Sequence, residues 1–144
     1  MIEQDTIRLL RECDSGIKMG ISSIDDVLER VEDDRLRALL TDSREEHCRL
    51  MHEAQQELDR FEDEGKDPNA FVVGMSQIKT GIKLAVNDSD NTIAELMTDG
   101  CNMGVKSLSE YLNEYKAADE KAKDITKKLI KIEESLCESL REFL

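Results

Sequence analysis

The chain has no tryptophan, one proline and only 3% aromatic residues. That is the composition of long amphipathic helices and speaks against a β-sandwich. No apolar run approaches the length of a membrane span. Met1 leads straight into a polar helix start, so no signal peptide is expected. Cysteine occurs four times, at Cys13, Cys48, Cys101 and Cys137, but never as CxxC. This spacing is neither a zinc knuckle nor a disulfide framework, and it implies free thiols in a reducing cytoplasm. Basic residues are outnumbered: 20 Lys and Arg face 33 Asp and Glu, for a net charge of −13. Nucleic acid and anionic membranes both select basic surfaces, so neither is an expected partner. The acid concentrates in residues 1–64, with 19 acidic against 9 basic side chains. Solubility and attraction of cations follow from that excess.

What the chain does contain is a near-repeat. Gly16-Ile-Lys-Met19-Gly20-Ile-Ser-Ser23-Ile24-Asp-Asp-Val27-Leu28 returns as Gly100-Cys-Asn-Met103-Gly104-Val-Lys-Ser107-Leu108-Ser-Glu-Tyr111-Leu112. Glycine, methionine, glycine, serine and leucine recur in register, and apolar positions match apolar positions. Such self-similarity indicates one supersecondary unit used twice. Each glycine inside a helix costs about 1 kcal/mol relative to alanine. A close backbone approach between the first and third helices, or across a dimer interface, is the expected compensation for Gly16, Gly20, Gly100 and Gly104.

A length of 144 residues suits a single domain, 1–144, with a real core. Apolar spacing predicts a first helix over 2–31, with Ile7, Leu10, Ile17, Ile21, Ile24, Leu28 and Val31 on one face. Asp33-Asp34 offers a new cap. A second helix over 35–64 carries Leu36, Leu40, Ser43, His47, Leu50, Ala54, Leu58 and Phe61, with Gly65 and Pro68 expected to end it. A short amphipathic helix is predicted over 70–86. The third helix, 90–116, turns Ile93, Met97, Gly100, Gly104, Leu108, Tyr111 and Tyr115 inward. The fourth, 119–143, turns in Ala122, Ile125, Leu129, Ile132, Leu136, Leu140 and Phe143. Short linkers make two antiparallel hairpins, and the longer connection between the second and third helices can travel back along the bundle. The expected fold is therefore all-α: a ferritin-like four-helix bundle of two related hairpins with a helix-containing crossover.

Three stretches carry a family resemblance: Leu10-Arg-Glu-Cys-Asp-Ser-Gly-Ile-Lys-Met19-Gly20, Asp99-Gly-Cys-Asn-Met-Gly104-Val-Lys-Ser-Leu108 and Ala118-Asp-Glu-Lys-Ala122. Together they resemble an uncharacterised bacterial ferritin-like family, a domain of unknown function of clostridial type. The resemblance covers nearly the whole chain. It implies a ferritin-like bundle and no established activity.

Metal-active bundles of that kind take carboxylates from two helices and a Glu-x-x-His from each of the other two. This chain lacks that set. Glu46 is followed three residues later by Arg49, Glu133 is followed by Leu136, and His52 falls on the polar side of its helix. No di-iron centre is expected, and no catalytic residue is assigned. A cysteine nucleophile would need Cys13, Cys101 or Cys137 beside His47 in an open cleft, which a packed core does not offer. Core methionines Met19, Met51, Met97 and Met103 read as gap-fillers.

Three polar residues nevertheless fall on apolar stripes: His47, Glu133 and, at a stripe's edge, Asp14. His47 and Glu133 are expected at nearly the same height, with Asp14 about one turn lower. The plain reading is a buried His–Glu hydrogen bond, because buried polar groups find partners. The functional reading is a reduced mononuclear site in which His47, Glu133 and Asp14 hold one divalent ion such as zinc, manganese or ferrous iron. No other cofactor is expected. The sequence points to a non-enzymatic interaction or structural protein, associating with itself or another protein, with a metal-binding or redox protein as the alternative.

Overall fold

The structure, a computed structural model, describes residues 2–68 and 89–144. Among the described residues there are four α-helices and no strand: α1, Ile2–Leu28; α2, Asp34–Arg60; α3, Asp90–Glu114; and α4, Glu120–Leu140. A 3-10 turn, Arg141–Phe143, ends the chain. None of these helices is long and apolar enough to cross a membrane. The short helix expected over 70–86 lies outside the described residues.

Local chemistry sets the helix starts. Asp33, Ser89 and Asp119 take extended backbone angles and accept hydrogen bonds from the first-turn amides of α2, α3 and α4. These are the side chains that satisfy orphan N–H groups at a helix start. The ends fall short of the sequence expectation. α1 stops at Leu28 rather than 31, because Arg30 and Val31 donate back to Val27 and Leu28 in tight turns. α2 stops at Arg60 rather than 64, and neither Gly65 nor Pro68 is the stop. Glu62 takes a left-handed φ of 55°, Glu62 N–H donates to Asp59 O and Asp63 N–H to Leu58 O. That is a Schellman ending with glutamate in the position glycine usually holds.

Side-chain contacts give the helix directions. α1 meets α2 antiparallel, with Arg11 against Asp63 and Asp25 against Arg44. α2 runs antiparallel to α4, since His47 meets Glu133 while Glu53 meets Lys121 and Lys128. α1 runs parallel to α4, with Thr6 bonded at Asp119 and Cys13 at Thr126. α2 and α3 therefore point the same way. The end of α2 and the start of α3 lie at opposite poles, about 40 Å apart for helices of 27 residues.

Both hairpin turns are fastened by the first turn of a helix from the other hairpin. Asp90 accepts from the amides of Glu32 and Asp33 at 2.9 and 2.8 Å. Thr6 accepts from the amide of Asp119 at 2.8 Å, and Asp5 from that of Ala117 at 3.1 Å.

Leu9, Leu10, Ile17, Leu50, Leu58, Leu108, Ile125 and Leu129 form one apolar cluster towards the α1 N-terminus. Ile24, Val27, Leu36, Leu40, Ile93, Met97, Leu136 and Leu140 form a second towards the other pole. Between 17 and 24, 40 and 50, 101 and 108, and 129 and 136 lies a polar layer. It contains Gly20, His47, Gly104 and Glu133.

Two inward positions need correction. Met103 is 66% exposed and fills no core gap. Gly100 is exposed too. Thr92, absent from the predicted inward set of its helix, is buried at 6%, where it meets the Ser89 cap.

Candidate functional site: a buried histidine–glutamate layer

His47 is carried by the middle of α2 and Glu133 by the middle of α4. Each follows the N-cap aspartate of its helix, Asp33 or Asp119, by 14 residues. Because the two helices are antiparallel, equal depth from opposite poles brings both side chains to the bundle's midpoint. His47 is 1% exposed and Glu133 9%. The His47 Nε2–H group donates to Glu133 Oε1 at 2.8 Å, and Nδ1–H donates to the Ser43 carbonyl at 2.7 Å.

Both partners are pure acceptors, a carbonyl oxygen and a carboxylate. A histidine that serves both of them carries a proton on each nitrogen. Electrostatics agree with the geometry. Burial pulls the imidazole's pKa down, but the hydrogen bond and charge of Glu133, the Ser43 carbonyl and the charge of Glu46 outweigh it, and the value lies above the ordinary one. The layer is an imidazolium–carboxylate pair in an apolar interior. Such a pair holds well while both partners are present and leaves a costly orphan when one is removed.

Two glycines make room for it. A Cβ on Gly20 of α1 would lie 2.8 Å from His47 Nε2 and 2.9 Å from Cδ2. On Gly104 of α3 it would make an ordinary contact, 3.7 Å from Glu133 Oε2. The close approach at Gly20 is thus made by the imidazole, where a helix backbone was expected. Gly16 would meet only Leu129 at 3.7 Å, and Gly100 has nothing within 4 Å. A side chain packs tightly at Gly20 and loosely at Gly104 and Gly16, nothing packs at Gly100, and no backbone atom of another helix is among the nearest neighbours of any of the four.

Cys101 of α3 completes the layer. Burial first, then the charge and hydrogen bond of Glu133, push its thiol far above the ordinary range. Cys13 lies in the neighbouring apolar cluster, where burial lifts its thiol to about 12, and Thr126 Oγ1 is 3.0 Å away. Neither thiol is poised as a nucleophile, because the thiolate is the reactive form.

Asp14 does not join this layer. It is fully buried, about 9 Å along α1 from Gly20 at six residues' rise. Its Oδ2 accepts from the Lys66 amide at 3.0 Å and pairs with Lys18 Nζ at 2.8 Å. Its Oδ1 has no partner. Gly65 packs directly against it, with a φ of +86°, and a Cβ there would clash with Oδ2. Asp14 anchors the segment after α2, with help from Arg11–Asp63 and Lys66–Glu12. The residue of α1 that lies beside His47 is Gly20. Among the described residues, no three His, Cys, Asp or Glu side chains come together in a way that could hold a metal ion.

Residues 5–114 match the family described as Domain of unknown function (DUF2383). The chain belongs to that family. In this DUF2383 protein the match covers α1 to α3 and ends with α3 itself. His47, Gly20, Cys101 and Gly104 fall inside it, and Glu133 falls beyond. No curated protein and no solved structure matches the chain.

Sequence reasoning named His47 and Glu133 but missed Gly20, Gly104 and Cys101 as their neighbours. The signal was present. The recurring glycines are 84 positions apart, and the Asp33 and Asp119 caps set His47 and Glu133 at equal depth.

Proposed function

We propose that this DUF2383 chain is a non-enzymatic bundle that works by association with itself or another protein, and that the His47–Glu133 pair is a structural pin at its centre. The observation that carries the reading is the engagement of both His47 ring nitrogens with acceptors, at 2.7 and 2.8 Å. A doubly protonated imidazole has no lone pair for a metal or for general-base chemistry. The donor set also does not fit a two-metal centre: Glu46, Arg49 and His52 all point to solvent.

The same reading takes the bundle as ferritin-like and as two related hairpins. Parallel α2 and α3 support the first. The second is supported by matched burial: Leu9, Leu10, Cys13 and Ile17 of α1 correspond to Ile93, Ala94, Met97 and Cys101 of α3. Leu36, Leu40, Ser43, His47, Leu50 and Ala54 of α2 correspond to Ala122, Thr126, Leu129, Glu133, Leu136 and Leu140 of α4. Its place is the cytoplasm of a bacterium, where four free thiols stay reduced. A net charge of −13 turns it away from nucleic acid and anionic membranes.

A second reading, one divalent ion on His47, Glu133 and Asp14, draws on the unpartnered Asp14 Oδ1. It requires Asp14 to release Lys66 and cross the roughly 9 Å that separate it from the level of His47, and His47 to lose a proton. Thermal melts with zinc, manganese or ferrous iron separate the two. A structural pin predicts no metal-dependent rise in Tm for the wild type. A rise that vanishes in His47→Leu/Glu133→Leu would replace it with the metal reading.

A further inference from the structure

Along the outermost face of α4, opposite its buried stripe, Glu120, which pairs with Lys123 at 4.0 Å, is followed by six more charged residues: Asp124, Lys127, Lys131, Glu134, Glu138 and, in the 3-10 turn beyond the helix, Arg141. All six are exposed. Among the described residues none takes part in an ion pair, although many charged neighbours do. Within one helix their order is mixed: Asp124 and Lys127, and Lys131 and Glu134, are opposite charges three residues apart, a favourable spacing. Lys127 and Lys131 are like charges four residues apart, as are Glu134 and Glu138, and such spacing destabilises a helix.

The order is, however, self-complementary. Read as − + + − − +, it becomes its own opposite when reversed about a point between Ile132 and Glu133. We infer that this face is the contact surface for a second copy of the chain, with the two α4 helices antiparallel about a two-fold axis. That register sets Asp124 against the partner copy's Arg141, Lys127 against Glu138 and Lys131 against Glu134, and symmetry repeats each pair. An interface using one patch on both copies closes at the dimer. These six charges cancel on a molecule of net charge −13, and in this register a second copy meets opposite charge at each of the six positions. The inference rests on the reading of the protein as an association module and names the partner.

The interface has no apolar centre on this face, so the dimer is reversible and salt-sensitive. At about 0.15 M salt, charges are screened over about 8 Å, which mutes the distant acidic surfaces but spares contacting pairs; at 1 M the length is about 3 Å. Sedimentation equilibrium of the full chain should give a mass approaching twice 16.4 kDa at the lower salt and one chain's mass at the higher. Lys127→Glu/Lys131→Glu makes the core of the stripe all acidic, and Glu134→Lys/Glu138→Lys makes it all basic. Each should be monomeric alone, and an equimolar mixture should recover the dimer. Circular dichroism confirms that both variants are folded. A wild type that stays monomeric at millimolar concentration overturns the inference, as do reversed variants that still dimerise alone or a mixture that stays monomeric. A monomeric wild type overturns self-association through this face while association with another protein stands, and the metal-dependent melts test the structural pin separately, so the failures are distinct.

Discussion

Glu133 and Asp14 are both carboxylates placed on apolar helix stripes, and both are more than nine-tenths buried, yet the bundle satisfies them in different ways. Glu133 meets a cationic side chain from another helix, 86 residues away. Asp14 meets a lysine one turn along its own helix and a backbone amide from the segment after α2, and one of its oxygens has no partner. Glu133 belongs to a layer that divides the core into two apolar halves. Asp14 lies mid-way along α1, about 9 Å from that layer, and fastens the segment after α2. The same sequence signal, a polar residue on a buried stripe, marks a central pin in one case and a loop anchor in the other. What separates them is whether water can stand in for the partner.

That difference should appear first as the cost of removal. His47→Leu or Glu133→Leu alone leaves a buried orphan and should cost roughly 2–4 kcal/mol. The double change removes both polar groups and should be close to neutral or stabilising. Asp14→Ala should cost less, roughly 1–2 kcal/mol, because the amide it releases belongs to exposed Lys66 and can turn to water. Urea denaturation of the four variants reads these values. Equal costs at Asp14 and Glu133 would erase the distinction.

The glycines sharpen the contrast from the other side. Gly20→Ala drives a methyl into an imidazole held by two hydrogen bonds, so one bond must lengthen, at roughly 1–3 kcal/mol. Gly104→Ala faces the flexible stem of Glu133 at 3.7 Å and should stabilise by up to about 1 kcal/mol through helix propensity. If the two substitutions behave alike in chemical denaturation, the layer does not depend on the imidazole's position. Beside Asp14, Gly65→Ala meets both a left-handed φ and Asp14 Oδ2. It should cost about 2 kcal/mol in the wild type and distinctly less in Asp14→Ala, where only the φ penalty remains. Additive effects in that double-mutant cycle would break the proposed contact.

Much of this was legible in the sequence. Helical periodicity found the four described helices to within a few residues and identified the buried face of α2 from Leu36 to Leu58. It placed His47 and Glu133 inside because the stripe around each is apolar on both sides. It could not place Asp14 with equal accuracy. A helical wheel gives the face of a residue, whereas its height relative to another helix depends on packing and on where each helix starts. Met103 is another miss: its repeat counterpart Met19 is partly buried, whereas Met103 is 66% exposed, because a shared sequence pattern does not fix how closely the neighbouring helices cover each position. The α2 stop went wrong because a Schellman ending was assigned to the nearest glycine, while the chain places Glu62 in the left-handed position.

The smallest expected effect is on pH dependence, and it isolates the pin from the anchor. His47 has a raised pKa in the folded state. Its contribution is therefore fully present below the unfolded value of about 6.5 and is lost as pH rises through the folded value. Other shifted groups act elsewhere. Glu53 and Asp63 are held below the ordinary carboxylate range by Lys128 and Arg11, so their contributions are lost only in acid. Burial raises the Cys13 and Cys101 thiols, and their contributions are lost only above the ordinary thiol value of about 8.5. Between roughly pH 6.5 and 8.5, the wild-type Tm should decline. His47→Leu/Glu133→Leu should show a flat profile there, and Asp14→Ala should keep the wild-type slope. Thermal melts across that window decide it: a decline that persists in the double variant would mean that some group other than the His47–Glu133 pair is titrating.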